Sequence, residues 1–148
     1  MSTANIIAGS LSVSSNGSLS FLTVTALGDA SALLTADQVL GGFFTITPTA
    51  DRTLTLPTAV LLAAAIPTPL VIGQAIEFAV QNNAVGAAGT SALLAVGVGI
   101  SSGSMSAQQL TIEGAIVGGA AASGGGSGSF LLVCTNATTP AFTLFRRS

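Results

Sequence analysis

The sequence predicts an all-β fold, a jelly-roll-like β-sandwich with one short helix and an extended N-terminal arm. Short apolar stretches alternate with Thr, Ser or Asn, and breaks rich in Gly, Pro and Asn recur at roughly 8–12-residue spacing, which is typical of sandwiches and barrels. A single stretch is rich enough in good helix formers to predict a helix. The 148 residues suffice for one domain with a hydrophobic core.

Residues 1–36 differ from the rest, because they contain only short alternating stretches separated by small residues. Asn16-Gly17 lies between two such stretches, a pattern that predicts a β-hairpin. These stretches carry too few apolar side chains to form a core alone. We therefore predict residues 1–36 as an extended assembly arm and residues 37–148 as the β-sandwich domain.

The second segment contains most of the predicted strands. They cover residues 43–47, 53–56, 76–80, 93–100, 109–113, 130–135 and 142–146. Gly97 and Gly99 within one of them predict a bulge or a close backbone approach. Residues 118–129, composed almost entirely of Gly, Ala and Ser, are expected to form a loop.

Thr58 to Ile66 is the predicted helix, bounded by Pro57 and Pro67. It is apolar nearly all round, so we expect it to cover one end of the sheets.

Charge is scarce in this chain. Only 5% of the residues are charged, against about 25% in ordinary soluble domains. The net charge of −2 predicts no nucleic-acid partner. The long uncharged stretches are interrupted by proline and glycine, so we predict no membrane span, and the N-terminus carries no pattern of a signal peptide. We interpret the apolar surplus as sheet core plus buried contacts between subunits.

No set of residues suited to catalysis is evident. The chain has no histidine that could activate Cys134, which we interpret as a small buried hydrophobe. Glu77 and Glu113 occupy strand positions, and Arg146 and Arg147 are expected to form local salt bridges or to cap a strand end. No Asp-rich loop has calcium-ligand spacing, and no glycine run has the lysine of a phosphate loop. We therefore predict no enzyme and no catalytic, cofactor-binding or metal residue.

The order of these elements resembles a known class of domain. The similar stretches are 44–59 (FTITPTADRTLTLPTA), Leu61-Leu62, 73–78 (GQAIEF) followed by Asn82, 130–136 and 142–146. Together they resemble a small β-sandwich domain of structural proteins in tailed phages and large double-stranded DNA viruses. The resemblance covers about residues 40–147 and departs at the loop 118–129. The N-terminal stretches are similar to the arms and stalks of trimeric virion proteins.

The resemblance implies a virion structural protein of the minor capsid, decoration, cement or fibre-head type. It implies self-association, with a homotrimer expected, and contact with other capsid proteins. Two alternatives stay open: a fibre-tip module that binds host-surface glycans, and a membrane-associated β protein. The absence of Trp and Tyr weakens the glycan alternative, because sugar sites commonly stack on aromatic faces.

Overall fold

The computed structural model describes residues 11–13, 19–86, 90–116 and 126–147. The strands are β1 (Leu11–Val13), β2 (Leu19–Phe21), β3 (Thr23–Leu27), β4 (Ala32–Leu33), β5 (Gly42–Ile46), β6 (Arg52–Thr55), β7 (Ala75–Asn82), β8 (Val85–Gly86), β9 (Ser91–Ala95), β10 (Ile100–Ser101), β11 (Thr111–Glu113), β12 (Ala115–Ile116), β13 (Ser127–Asn136) and β14 (Ala141–Arg146). The helices are α1 (Ala36–Gly41), α2 (Ala59–Ala65) and α3 (Ala107–Leu110).

Two main sheets enclose one hydrophobic core. The larger has the strand order β10-β14-β13-β7-β5-β3, and the smaller has the order β11-β9-β6-β4. Burial alternates along the strands of both sheets, so that every second side chain enters the shared core. Phe78 is buried in this core, with its ring stacked on Phe130 at a centroid distance of 5.4 Å and edge-on to Phe44 at 6.1 Å. The prediction of a strand-rich fold is therefore confirmed.

The chain crosses between the two sheets repeatedly in the same direction. It passes from β3 to β4, from β5 to β6 and from β7 to β9, so β3, β5 and β7 are parallel in one sheet and β4, β6 and β9 in the other. Antiparallel pairing joins β13 to β7 and β14, and β11 to β9. A jelly roll is built from antiparallel strands. The jelly-roll prediction is not confirmed, because three successive crossings generate parallel neighbours.

The predicted helix is confirmed as α2, whose first turn is capped by the Thr58 hydroxyl accepting from the Leu61 N–H at 3.3 Å. Two short helices were not predicted. α1 begins after Thr35, and α3 occupies the start of the stretch predicted as a strand from residue 109, leaving β11 to begin at Thr111.

Most other strand predictions match the structure within a few residues. The stretch 93–100 is the exception, because β9 ends at Ala95 and β10 begins at Ile100. Gly97 lies between them, where a Cβ atom would collide with the Leu56 and Pro57 carbonyl oxygens, and Gly99 has a φ of +80°. The predicted close backbone approach is thus confirmed at Gly97, and it separates the two strands.

The predicted arm divides into two parts in the structure. β1 and β2 form the predicted hairpin as a separate two-stranded sheet, whereas β3 and β4 are edge strands of the two main sheets. The turn at Asn16-Gly17 and most of the predicted loop 118–129 lie outside the described residues. An assembly role for residues 1–36 stays a prediction.

Candidate interaction surface

The strand directions give the two-sheet body two distinct ends. β3, β5 and β7 all start at one end, where α1 and α2 lie; we call it the helical end. The turns after β3, β5 and β7 lie at the opposite end, which we call the loop end. The two ends carry different kinds of side chain.

Polar contacts concentrate at the loop end. Asp29 accepts from the Arg52 guanidinium at 2.8 Å and from the backbone N–H of Thr49 at 3.0 Å. Asp51 accepts from the backbone N–H of Ser91 at 2.9 Å and from its hydroxyl at 3.0 Å. The Arg52 hydrogen bond, followed by those from Thr49, lowers the pKa of Asp29, and the bonds from Ser91 lower the pKa of Asp51. These carboxylates bind successive turns together.

The remaining charged side chains include a group on the larger sheet. The Arg147 guanidinium donates to the Glu77 carboxylate at 2.6 Å, as predicted for local pairing of the terminal arginines. Arg146 donates to the Gln109 and Thr111 carbonyl oxygens and lies over the Phe130 ring, so it joins β14 to the start of β11. Cys134 is buried, in agreement with its interpretation as a small hydrophobe.

Large apolar side chains are exposed mainly at the helical end. Of the nine such residues in the described part of the chain, seven lie there: Leu22, Leu33, Val60, Leu61, Val71, Ile72 and Val98. The Val98 carbonyl accepts from the Ala59 N–H at 2.9 Å, which brings the loop after β9 beside the first turn of α2. Val98 itself is 82% exposed. Of the chain's eight formal charges, Asp37 and Glu77 lie at this end, and Glu77 is paired with Arg147.

A groove also opens at the helical end beside the start of β7. Its volume is about 630 Å³. Its lining residues come from β7, α1, the first residue of β5, the segment after α2 and the chain before β3: Leu22, Leu40, Gly42, Ile66, Pro67, Thr68 and residues 74–79. Its single charged lining residue is Glu77, already paired with Arg147.

Sequence reasoning predicted that apolar surface would remain for partners but did not locate it. Val60 and Leu61 lie in the predicted helix and Val98 in the predicted strand 93–100, so nothing local marks them as exposed. Val71 and Ile72 lie in the break between the predicted helix and the predicted strand 76–80, where apolar residues are unusual for an exposed connection. That mismatch between local composition and a surface position could have identified them. Leu22 and the groove could not be found this way, because they depend on how β3 and β7 are positioned by β5.

The described residues contain no group of three or more His, Cys, Asp or Glu side chains placed to hold a metal ion. Within the same residues, no helix is both long enough and apolar enough to cross a bilayer. Comparisons of the chain with protein-family models, with curated proteins and with solved structures find no match.

Proposed function

We propose that this protein is a non-enzymatic structural subunit that self-associates through the apolar surface of its helical end. The observation that carries the proposal is the separation of seven exposed apolar side chains at one end from the charged turns at the other. Apolar surface removed from water contributes about 25 cal/mol per Å² before the costs of association are subtracted. Contiguous exposed apolar surface therefore favours a partner.

The polar side chains support the same proposal. Asp29, Asp51, Arg52, Glu77 and Arg147 all have side-chain partners within the chain. Their contacts bind turns and neighbouring strands, which is a structural use of charge. Of these five residues, only Glu77 lines the groove, and its carboxylate is paired with the Arg147 guanidinium.

A virus particle is the setting we propose for this assembly, as a minor capsid, decoration or cement protein. The support for this setting is the sequence resemblance of residues 40–147 to particle proteins. A homotrimer is the proposed state for the same reason. Repetition in a particle lattice would multiply weak apolar contacts into firm attachment.

The proposal is tested by placing charges in the apolar surface. Val60→Lys combined with Val98→Lys should shift the protein from oligomer to monomer at micromolar concentration, because two ammonium groups would have to be desolvated in the contact. Light scattering after size-exclusion chromatography measures the mass. The wild-type chain is expected to be oligomeric under the same conditions.

Ala30→Lys combined with Ala50→Lys is the matched control, since it adds the same charge at two exposed positions of the loop end. This control should retain the wild-type mass. A wild-type protein that is monomeric at all concentrations, or equal dissociation of both double variants, contradicts the proposal.

A further inference from the structure

β7 extends beyond its neighbour β5 at the helical end. Pairing between them begins at Phe43 and Ala79, whereas β7 itself begins at Ala75. Residues 75–78 pair with β13 on one side. On the other side no strand of the described chain pairs with them, so the larger sheet has an open edge four residues long within its interior.

The alternating direction of the backbone hydrogen bonds along β7 shows which N–H and C=O groups face this open edge. Cys134 N–H donates to the Gln74 carbonyl, and Asn82 N–H donates to the Gly126 carbonyl, both at 2.8 Å. Even-numbered residues of β7 therefore bond toward β13. Because bonding direction alternates along a strand, the N–H and C=O groups of Ala75 and Glu77 point the other way. Unpaired groups of this kind are a template for another strand.

The open edge borders a space that is one strand wide. β3 lies on the far side of β5, and the chain before it continues as Leu22 at the groove rim. Two strand spacings separate β7 from β3, about 9.6 Å at roughly 4.8 Å each, with one strand position between them. Below Gly42, the C-cap residue of α1 with a φ of +86°, the chain that precedes β5 runs as α1 instead of as a strand, so no strand of the described chain fills this position. We call this space the slot.

We propose that the slot binds the N-terminal strand β1 of a second copy by β-strand addition. This inference rests on the proposed self-association and names its contact. Ala75 and Glu77 would supply the backbone hydrogen bonds, and Leu22, Leu40 and Ile66 would pack against the incoming strand.

Three observations favour this occupant. Among the residues that the structure describes, β1 pairs with β2 alone and joins neither main sheet, and an isolated two-stranded hairpin is marginally stable in water. Residues 1–28 contain no charged side chain, so the strand can be buried without desolvating an ion. Leu22, one residue after β2, lies at the rim of the slot, so each copy holds its arm next to its own slot and can pass it to the slot of the next copy around the proposed trimer.

Crosslinking between two differently labelled copies tests the proposal. In a Cys134→Ala background, one chain carries Ser12→Cys on β1 and a second chain, distinguished by an affinity tag, carries the exposed substitution Ala75→Cys. After mixing, a short bismaleimide should join the two chains. We expect about tenfold more mixed dimer than with Ala30→Cys at the loop end, because a bound strand raises the effective concentration of its thiol.

Three results would overturn the inference, and they differ in what they say about the proposed function. A further variant carries both Ser12→Cys and Ala75→Cys in one chain, and crosslinking confined to that single chain would place β1 in its own slot. No crosslink in a protein that light scattering shows to be oligomeric would remove the slot as the contact but leave self-association standing. A monomeric protein without crosslinks would contradict both proposals.

Discussion

Asn82 is the one buried polar side chain in the part of the chain that the structure describes, and its amide joins three segments at the loop end. Its Nδ2 donates to the Thr90 carbonyl at 3.1 Å and to the Ile112 carbonyl at 2.9 Å, while its Oδ1 accepts from the Ala84 N–H at 3.0 Å. The amide thereby connects β7 of the larger sheet with β11 of the smaller sheet. Both the amide nitrogen and the amide oxygen of Asn82 therefore have backbone partners.

Replacing Asn82 with alanine should destabilise the protein by about 3 kcal/mol, because buried backbone groups lose their partners. Urea unfolding followed by circular dichroism measures the change. Asn83→Ala is the matched control: it removes the same group from an exposed neighbour and should change stability by less than about 0.5 kcal/mol. Equal effects of the two substitutions would contradict the bridging role.

The position of Asn82 was only partly predictable. Ile76, Phe78 and Val80 alternate toward the core, and continuing that period by two residues places Asn82 on the same face. Its polarity instead suggested the end of the strand. The structure resolves the conflict because the amide meets backbone groups of Thr90 and Ile112, which are distant in sequence.

At the scale of elements, the short helices α1 and α3 were not predicted from the sequence. The Thr35 hydroxyl accepts from the Gln38 N–H at 3.2 Å, and the Gln38 side chain accepts from the Thr35 N–H at 2.9 Å. This reciprocal pair is a capping box, and Thr-x-x-Gln is its sequence pattern. Gln109 accepts in the same way from the Ser106 N–H before α3. Both helices were therefore marked locally, although each is shorter than two turns.

Thr35→Ala should destabilise the protein by about 1 kcal/mol, the usual cost of losing an N-cap. The measured quantity is the shift of the urea midpoint. Thr138→Ala is the control, because it removes a hydroxyl from an exposed turn. Asn136 accepts there from the backbone N–H of Thr138, which the substitution keeps, so the urea midpoint should stay unchanged. A Thr35→Ala protein as stable as the wild type would show that packing of Val39 alone holds α1.

Strands were easier to predict than their partners. The alternation of apolar and polar residues predicted β5, β6, β7, β13 and β14 within a few residues of their observed bounds, because every second side chain of a half-buried strand is apolar. The parallel pairings were not predictable from the same pattern. β5 pairs with β7 across an offset of 36 residues, from Phe43 to Ala79, and no local rule specifies that choice.

At the scale of the whole molecule, stability in acid should depend on the loop-end carboxylates. Hydrogen bonds from Arg52 and Thr49 lower the pKa of Asp29, and those from Ser91 lower the pKa of Asp51. In the unfolded chain both carboxyl groups have a pKa of about 3.9. A lowered folded-state pKa stabilises the fold above that pH, and the contribution is lost as the pH falls toward the folded-state value.

Asp29→Asn combined with Asp51→Asn should therefore be less stable than the wild type at about pH 6, and the difference should shrink by about pH 3. Urea midpoints at the two pH values measure it. Asp37→Asn together with Glu113→Gln removes two exposed carboxylates and serves as the control. Its urea midpoint at about pH 6 should be close to that of the wild type. A stability difference that stays constant with pH would refute the linkage.

The sequence by itself determined the strand-rich class, the approximate bounds of most strands, the position of α2 and the scarcity of charge. These features follow from the period of apolar side chains and from propensities that act over a few residues. The tertiary structure alone decided the parallel crossings, the separation of the apolar helical end from the loop end, and the slot beside Ala75 and Glu77. Those features arise where segments distant in sequence pack together, and a local pattern specifies which face of a strand is buried but not which strand will lie beside it.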